Sequence, residues 1–206
     1  MKTILVTLSG THGTGKSTHA GRCYYLLNKA GYRFAYVRHQ DLLDPFGFLL
    51  RRVAKILGFR KASDLERRKP MRVLWSVYLL FVYYPLLVGG IRLRRIFGFS
   101  VVTDRYLYDT LVGFWGNRMN APIESLLVKI ITRPDLSFVL DADESRILRE
   151  RPEHTAEFVR KEKALYGEVA DMFGLKRVYT SENASLIWQL ILRDIRKVLG
   201  EPRRNH

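Results

Sequence analysis

A chain of 206 residues suits one domain, and a composition 47% hydrophobic and 27% charged excludes wholesale disorder. With 35 basic against 20 acidic residues, the formal charge of +15 attracts polyanions (nucleotides, nucleic acid or an anionic membrane) without specifying a fold. The single cysteine, Cys23, excludes an internal disulfide, and the apolar start is too short for a signal-peptide core, which predicts a cytoplasmic protein.

Short apolar runs alternate with helical patterns along the chain, which predicts a parallel sheet covered by helices. The first strand is expected over residues 3–8, leading into a glycine-rich segment and a helix over 16–30 that Gly31 stops. A second strand is expected over 34–38. Residues 73–91 then form an uncharged run bounded by Arg72 and by Arg92, Arg94 and Arg95. Its length is close to the roughly 20 residues of a membrane span, but Pro85, Gly89-Gly90 and the tyrosines at 78, 83 and 84 argue otherwise. A span there would also put the glycine-rich segment and the strand expected over 100–103 on opposite sides of a bilayer and dismantle the sheet. The run therefore reads as a long helix packed on the sheet, with an apolar face for a second subunit; peripheral membrane contact is the less favoured alternative. Strands over 100–103, 137–141 and 177–180 follow, with helices over 156–173 and 184–199. One domain over 1–200 is expected, with a basic tail at 201–206.

Gly10-Thr11-His12-Gly13-Thr14-Gly15-Lys16-Ser17-Thr18 matches the G-x-x-x-x-G-K-[ST] phosphate loop without a gap. Glycines let backbone N–H groups converge on phosphate oxygens, Lys16 reaches the β- and γ-phosphates, and Ser17 offers a hydroxyl to Mg²⁺. A strand before and a helix after are the required setting. This predicts ATP binding with Mg²⁺.

Asp104-Arg105-Tyr106 follows a predicted strand, where parallel sheets bind ligands. Asp104 there suits Mg²⁺ or an acceptor, and Arg105 suits an acceptor phosphate; a structural ion pair is the alternative. Arg146, Arg149 and Arg151 follow the 137–141 strand and end at Pro152. On a mobile segment over about 143–157 they would contact transferring phosphate and exclude water; paired with Glu144 and Glu150 they would be a solvated face.

The phosphate loop, Arg38 at the end of the second strand, VVTDRY, and PDLSFVLDAD with its arginine-rich sequel together resemble the thymidylate kinase family. The likeness runs from about Lys2 to Leu199. It implies a P-loop NTP hydrolase-like α/β three-layer sandwich, with a five-stranded parallel sheet, helices on both faces and a short lid. It also implies a homodimer, and transfer of the γ-phosphoryl of ATP to a nucleoside monophosphate, most often dTMP, with Mg²⁺. By the same likeness Lys16, Asp104, Arg105 and Arg149 would be catalytic, Ser17 and Asp104 would face the metal, and Arg146 and Arg151 would meet ATP with the loop. Arg38, Phe81, Arg105 and Tyr106 would meet the acceptor. Phe158 and Tyr166, with Lys161 between, resemble the helix after the lid.

Three departures concern the acceptor. His12 stands where the family usually has an acid inside the loop, and it either touches the acceptor or fills space. The 73–91 run carries Phe81 but no accompanying arginine. Beyond Tyr106, the residues that read sugar and base are replaced by Asp109, Thr110, Phe114 and Trp115. A kinase of another acceptor therefore stays open, as does a non-catalytic nucleotide-binding protein acting through a partner or membrane. No N-K-x-D guanine-reading motif, metal-ligand spacing or nucleic-acid-binding motif is present.

Overall fold

The computed structural model describes residues 2–39, 52, 55, 69–116, 121–180 and 184–200; the expected tail at 201–206 lies outside them. Five strands, β1 (Leu5–Gly10), β2 (Phe34–Arg38), β3 (Ser100–Asp104), β4 (Leu136–Asp141) and β5 (Lys176–Tyr179), form one parallel sheet in the order β2-β3-β1-β4-β5. Each expected strand is present, with small shifts at its ends. The largest shift is in β1, which runs on to Gly10 because Ser9 and Gly10 pair with Val139 and Leu140 of β4. The ladder thus carries straight into the phosphate loop.

The two-residue period of the strands sorts their side chains into two cores. Leu5, Val37, Val101 and Val139 face one side, while Val6, Leu8, Phe34, Val102, Phe138, Leu140 and Val178 face the other. The second face is covered by α1 (Lys16–Lys29), through Ala20, Cys23 and Leu27, and by the C-terminal helix (Ala184–Leu199), through Ile187, Trp188, Ile191 and Ile195. Burial pushes the Cys23 thiol up to about 12, so it is an inert core group, as its apolar neighbours in sequence suggested.

The first face is covered by a long helical stretch. It comprises α2 (Lys69–Tyr78), a π-helical turn (Leu79–Tyr83) and α3 (Tyr84–Ile96), and is longer at both ends than the apolar run implied. The π turn is marked by the Tyr84 N–H bonding back to the Leu79 carbonyl. Pro85 accounts for it: a proline ring inside a regular helix clashes with the carbonyl four residues earlier, and a locally wider turn relieves the clash. Leu79, Tyr83, Leu87 and Ile91 bury themselves against the sheet.

Among the described residues four further helices follow: α4 (Leu107–Gly116), α5 (Ala121–Ile130), α6 (Glu144–Glu150) and α7 (Ala156–Phe173), with the C-terminal helix as α8. α7 and α8 have the bounds expected from sequence. α7 starts at Thr155, whose hydroxyl accepts the Phe158 N–H at 3.2 Å, and ends at Gly174 with φ 65°. α4 and α5, ten residues each, have no counterpart in the sequence reading; they are too short to set a helical period clearly apart from a strand or loop.

Candidate active site

The phosphate loop begins where β1 leaves the sheet. Gly10 has φ 137°, and a Cβ there would fall 2.1 Å from the Leu140 carbonyl oxygen, so the approach of β4 alone demands glycine. Gly13 and Gly15 both have φ 78°. The buried Thr11 carbonyl accepts two side chains, the Thr14 hydroxyl at 2.8 Å and the Lys16 ammonium at 2.5 Å. Lys16 is buried under the loop, and burial, reinforced by Arg105, lowers its pKa to about 8 against the opposing pull of Asp109, Glu162 and Asp104. Ser17 and Thr18 are exposed in the first turn of α1. Gly15 caps that helix without a side chain, and no acid lies in the first turn, so the positive helix end lacks an anion of its own.

Asp104 ends β3 between two neighbours, in register with Leu8 of β1 and Arg38 of β2. Its Oδ2 accepts the Tyr36 hydroxyl at 3.2 Å and lies 3.9 Å from Arg38 Nε. Its Oδ1 is buried without a hydrogen-bond partner among the described residues. An orphan carboxylate oxygen at the end of a strand is what a hard cation or its water would complete. The Ser17 hydroxyl, exposed in the first turn of α1, is a second oxygen donor of the kind that Mg²⁺ takes.

Arg105 follows in a left-handed conformation, φ 68°, while its backbone N–H extends the ladder to the Leu8 carbonyl at 2.9 Å. Such a conformation in a residue with a Cβ needs support from its surroundings. Asp109 supplies it. Its Oδ1 lies 3.4 Å from Arg105 Nη1 and accepts the Tyr166 hydroxyl at 2.7 Å, while Oδ2 accepts the Tyr106 N–H at 2.9 Å. The last contact is a reciprocal cap on α4, since the Asp109 N–H bonds the Tyr106 carbonyl.

The loop is also held from α7. Glu162 accepts the His12 backbone N–H at 3.0 Å and meets His12 Nδ1 at 2.5 Å. Burial pushes this carboxyl up, but the hydrogen bonds and charge of His12 outweigh it and leave Glu162 below the usual carboxylate range. The His12 ring packs edge-on against His154 and near Phe158, their centroids 5.3 and 6.3 Å away. Between α4 and α7 lies a cleft of about 330 Å³ whose polar lining is His12, Arg105, Asp109, Lys161, Glu162 and Tyr166.

The remaining candidates divide. Arg38 stands beside Asp104 as noted. Tyr106 is wholly buried and donates its hydroxyl to the Thr132 carbonyl at 2.8 Å, so its side chain serves the core under the cleft. Phe81 is strongly exposed on the long helix and does not line the cleft. Arg146 donates to the Thr180 carbonyl at 2.5 Å, tying α6 to the end of β5. Arg149 is exposed, and Arg151 pairs with Glu153 at 3.6 Å. The Arg151 Cγ and the Ile147 carbonyl each lie 3.4 Å from where a Gly13 Cβ would be, so the end of α6 rests on the loop. Phe114 is core, and Thr110 reaches His39 Nε2 at 3.5 Å. His39 also bonds the Tyr83 hydroxyl, and burial pulls its pKa down to about 4, which keeps it neutral.

Glu162, Asp109's role as a hub, and the His39–Tyr83 contact escaped the sequence reading. A signal for Glu162 existed: Phe158, Glu162 and Tyr166 recur every four residues on one face of α7.

No family model matches the chain. A probable thymidylate kinase of Thermococcus kodakarensis (strain ATCC BAA-918 / JCM 12380 / KOD1) is 23% identical over 209 residues, covering 96% of this chain and 100% of that protein. A probable thymidylate kinase of Thermococcus gammatolerans (strain DSM 15229 / JCM 11827 / EJ3) is 22% identical over 191 residues, covering 88% of this chain and 89% of that protein. This chain, with its five-stranded parallel sheet and glycine-built phosphate loop, is thus similar along most of its length to proteins named as probable thymidylate kinases.

Proposed function

We propose that this protein is an ATP-dependent kinase that transfers the γ-phosphoryl to a nucleoside monophosphate, with dTMP the leading acceptor. One observation carries the reading. The buried Lys16 lies within electrostatic reach of Arg105, Asp109, Glu162 and Asp104, so cations for two phosphate groups and an unsatisfied carboxylate oxygen converge at the carboxyl ends of β1 and β3. The whole-length similarity to probable thymidylate kinases supports it.

In this reading the loop N–H groups and Lys16 hold the β- and γ-phosphates, and Arg38 and Arg105 hold the acceptor phosphate for in-line attack. Charge stabilisation and positioning supply most of the acceleration, so no protein nucleophile is needed. Arg149 and Arg151 of the lid add positive charge as they close and keep water out. Ser17 and Asp104 would hold Mg²⁺, which would supply positive charge against the charge developing on the phosphates.

A second reading keeps the chemistry and changes the acceptor. Asp109, at a position where the family reads the nucleoside, has its carboxylate committed to Arg105, Tyr106 and Tyr166, and Phe114 is in the core. The test is ADP formation with Mg²⁺ and each nucleoside monophosphate offered separately, with Lys16→Ala as control. Turnover with dTMP alone supports the first reading, and turnover with another monophosphate selects the second. Silence toward all of them with ATP still bound refutes both nucleotide acceptors.

A further inference from the structure

The long helix presents two apolar faces. Leu79, Tyr83, Leu87 and Ile91 are spent on the core, yet Leu74, Phe81, Leu86, Leu93, Ile96 and Phe97 are exposed, Phe81 at 74% and Ile96 at 79%. Within α3, helical spacing places Leu86, Leu93, Ile96 and Phe97 in one stripe about 100° wide, with Arg92 and Arg94 one on each edge. The π turn extends the stripe. It inserts about one residue, or roughly 100° of phase, and so brings Leu74 and Phe81 of the earlier turns into line with Leu93. Without it the exposed apolar residues would spiral around the helix and into the core.

Charge selects what covers this stripe. From Arg67 to Thr103 the sequence has no aspartate or glutamate; Arg92 and Arg94 are the exposed cations beside the stripe, while Arg95 turns away to Asp135 at 3.4 Å. A second copy docked by the same face would bring a second set of cations and no carboxylate from the helix to meet it, on chains already at +15. A helix that spans a bilayer is excluded by the sheet packed on its other side. An apolar stripe edged with arginine on a strongly basic body matches an anionic bilayer, where acyl chains take the stripe and headgroups take the cations. We infer that the α2–α3 face seats this protein flat on an anionic membrane surface.

The test is flotation of the full chain with vesicles of phosphatidylcholine alone or mixed with phosphatidylglycerol, in about 0.15 M salt. Binding is expected to be at least about tenfold tighter to the anionic vesicles. Leu93→Asn with Ile96→Asn, and separately Leu86→Ser, should each weaken it several-fold, as should Arg92→Gln with Arg94→Gln. These side chains are exposed, so melting temperatures should stay within a few degrees of the parent, and the two apolar variants guard against misfolding of either one. Anionic binding indifferent to the apolar variants would overturn the inference, because general attraction of a basic chain then suffices. Absence of flotation would overturn it too. A dimer by light scattering that the apolar variants split, without vesicle binding, would assign the face to a second copy instead.

Discussion

Glu162 grips His12 at two atoms, its Oε2 accepting the backbone N–H and its Oε1 meeting Nδ1, and so ties the phosphate loop to a helix 150 residues away. Replacing it with alanine leaves a loop N–H and a half-exposed imidazole without their partner, at about 1–2 kcal/mol. Because the folded carboxyl sits below its ordinary value, its contribution is complete above pH about 4.5 and is lost as the pH falls through the folded value. Glu162→Ala should therefore lower the melting temperature at pH 7, and the gap from the parent should shrink toward pH 3. A gap that is constant with pH would show that the charge of Glu162 contributes nothing.

Lys16 gives the opposite kind of pH dependence. Its folded pKa is lowered to about 8, so the ligand-free fold carries the penalty of a buried cation below that pH and sheds it as pH rises toward 10.5. ATP supplies the missing anion and raises the pKa. Binding near pH 8 should then take up part of a proton, and affinity should fall as pH rises past 8, by at most about tenfold per unit. Calorimetry in buffers of different ionisation enthalpy measures this uptake, and Lys16→Met should abolish it. An affinity that is flat between pH 7 and 9.5 would contradict the assignment.

Asp104→Asn is expected to separate stability from activity. The change keeps the acceptor for Tyr36 and removes a buried oxygen that has no hydrogen-bond partner among the described residues, so the melting temperature should hold or rise. Turnover should fall about a hundredfold, the scale of losing one preorganised charge, with the deficit largest at low Mg²⁺. Equal loss at all Mg²⁺ concentrations would move Asp104 away from the metal.

Asp109→Ala removes the cap of α4, the partner of the buried Tyr166 hydroxyl, and the carboxylate beside the strained Arg105 at once. A destabilisation of about 3–5 kcal/mol follows. Chemical denaturation measures it. A loss under 1 kcal/mol would mean that water replaces the whole hub.

Gly10→Ala meets both a forbidden φ and a carbonyl 2.1 Å from its new Cβ, and should destabilise by about 3 kcal/mol or more. Gly174→Ala meets only φ 65° in open space and should lose about 1 kcal/mol. Thermal melts of the two variants, compared in one buffer, check the ratio.

The parts of this protein readable in advance are those whose chemistry is written in consecutive residues. Gly10 to Thr18 spell the loop in order, and the strands carry their apolar residues in runs, so both are local patterns that survive without knowledge of neighbours. The bounds of α7 and α8 were legible for the same reason: Gly174 stops the first, and an apolar stripe marks the second. α4 and α5 were not, since ten residues cover fewer than three turns and leave the helical period weakly marked.

What folding alone decided is which distant groups meet. His12 looked like a space-filling substitution until α7 delivered Glu162 to it, and Asp109 like a lost nucleoside reader until Tyr106, Tyr166 and Arg105 converged on it. The same holds for the long helix: its run over 73–91 is uncharged all round, and the π turn before Pro85 aligns one face with the sheet and the other with solvent. Such pairings depend on strand register, helix phase and crossing angle. A shift of one residue turns a helical side chain through about 100°, so they are properties of the packed chain and of no single segment.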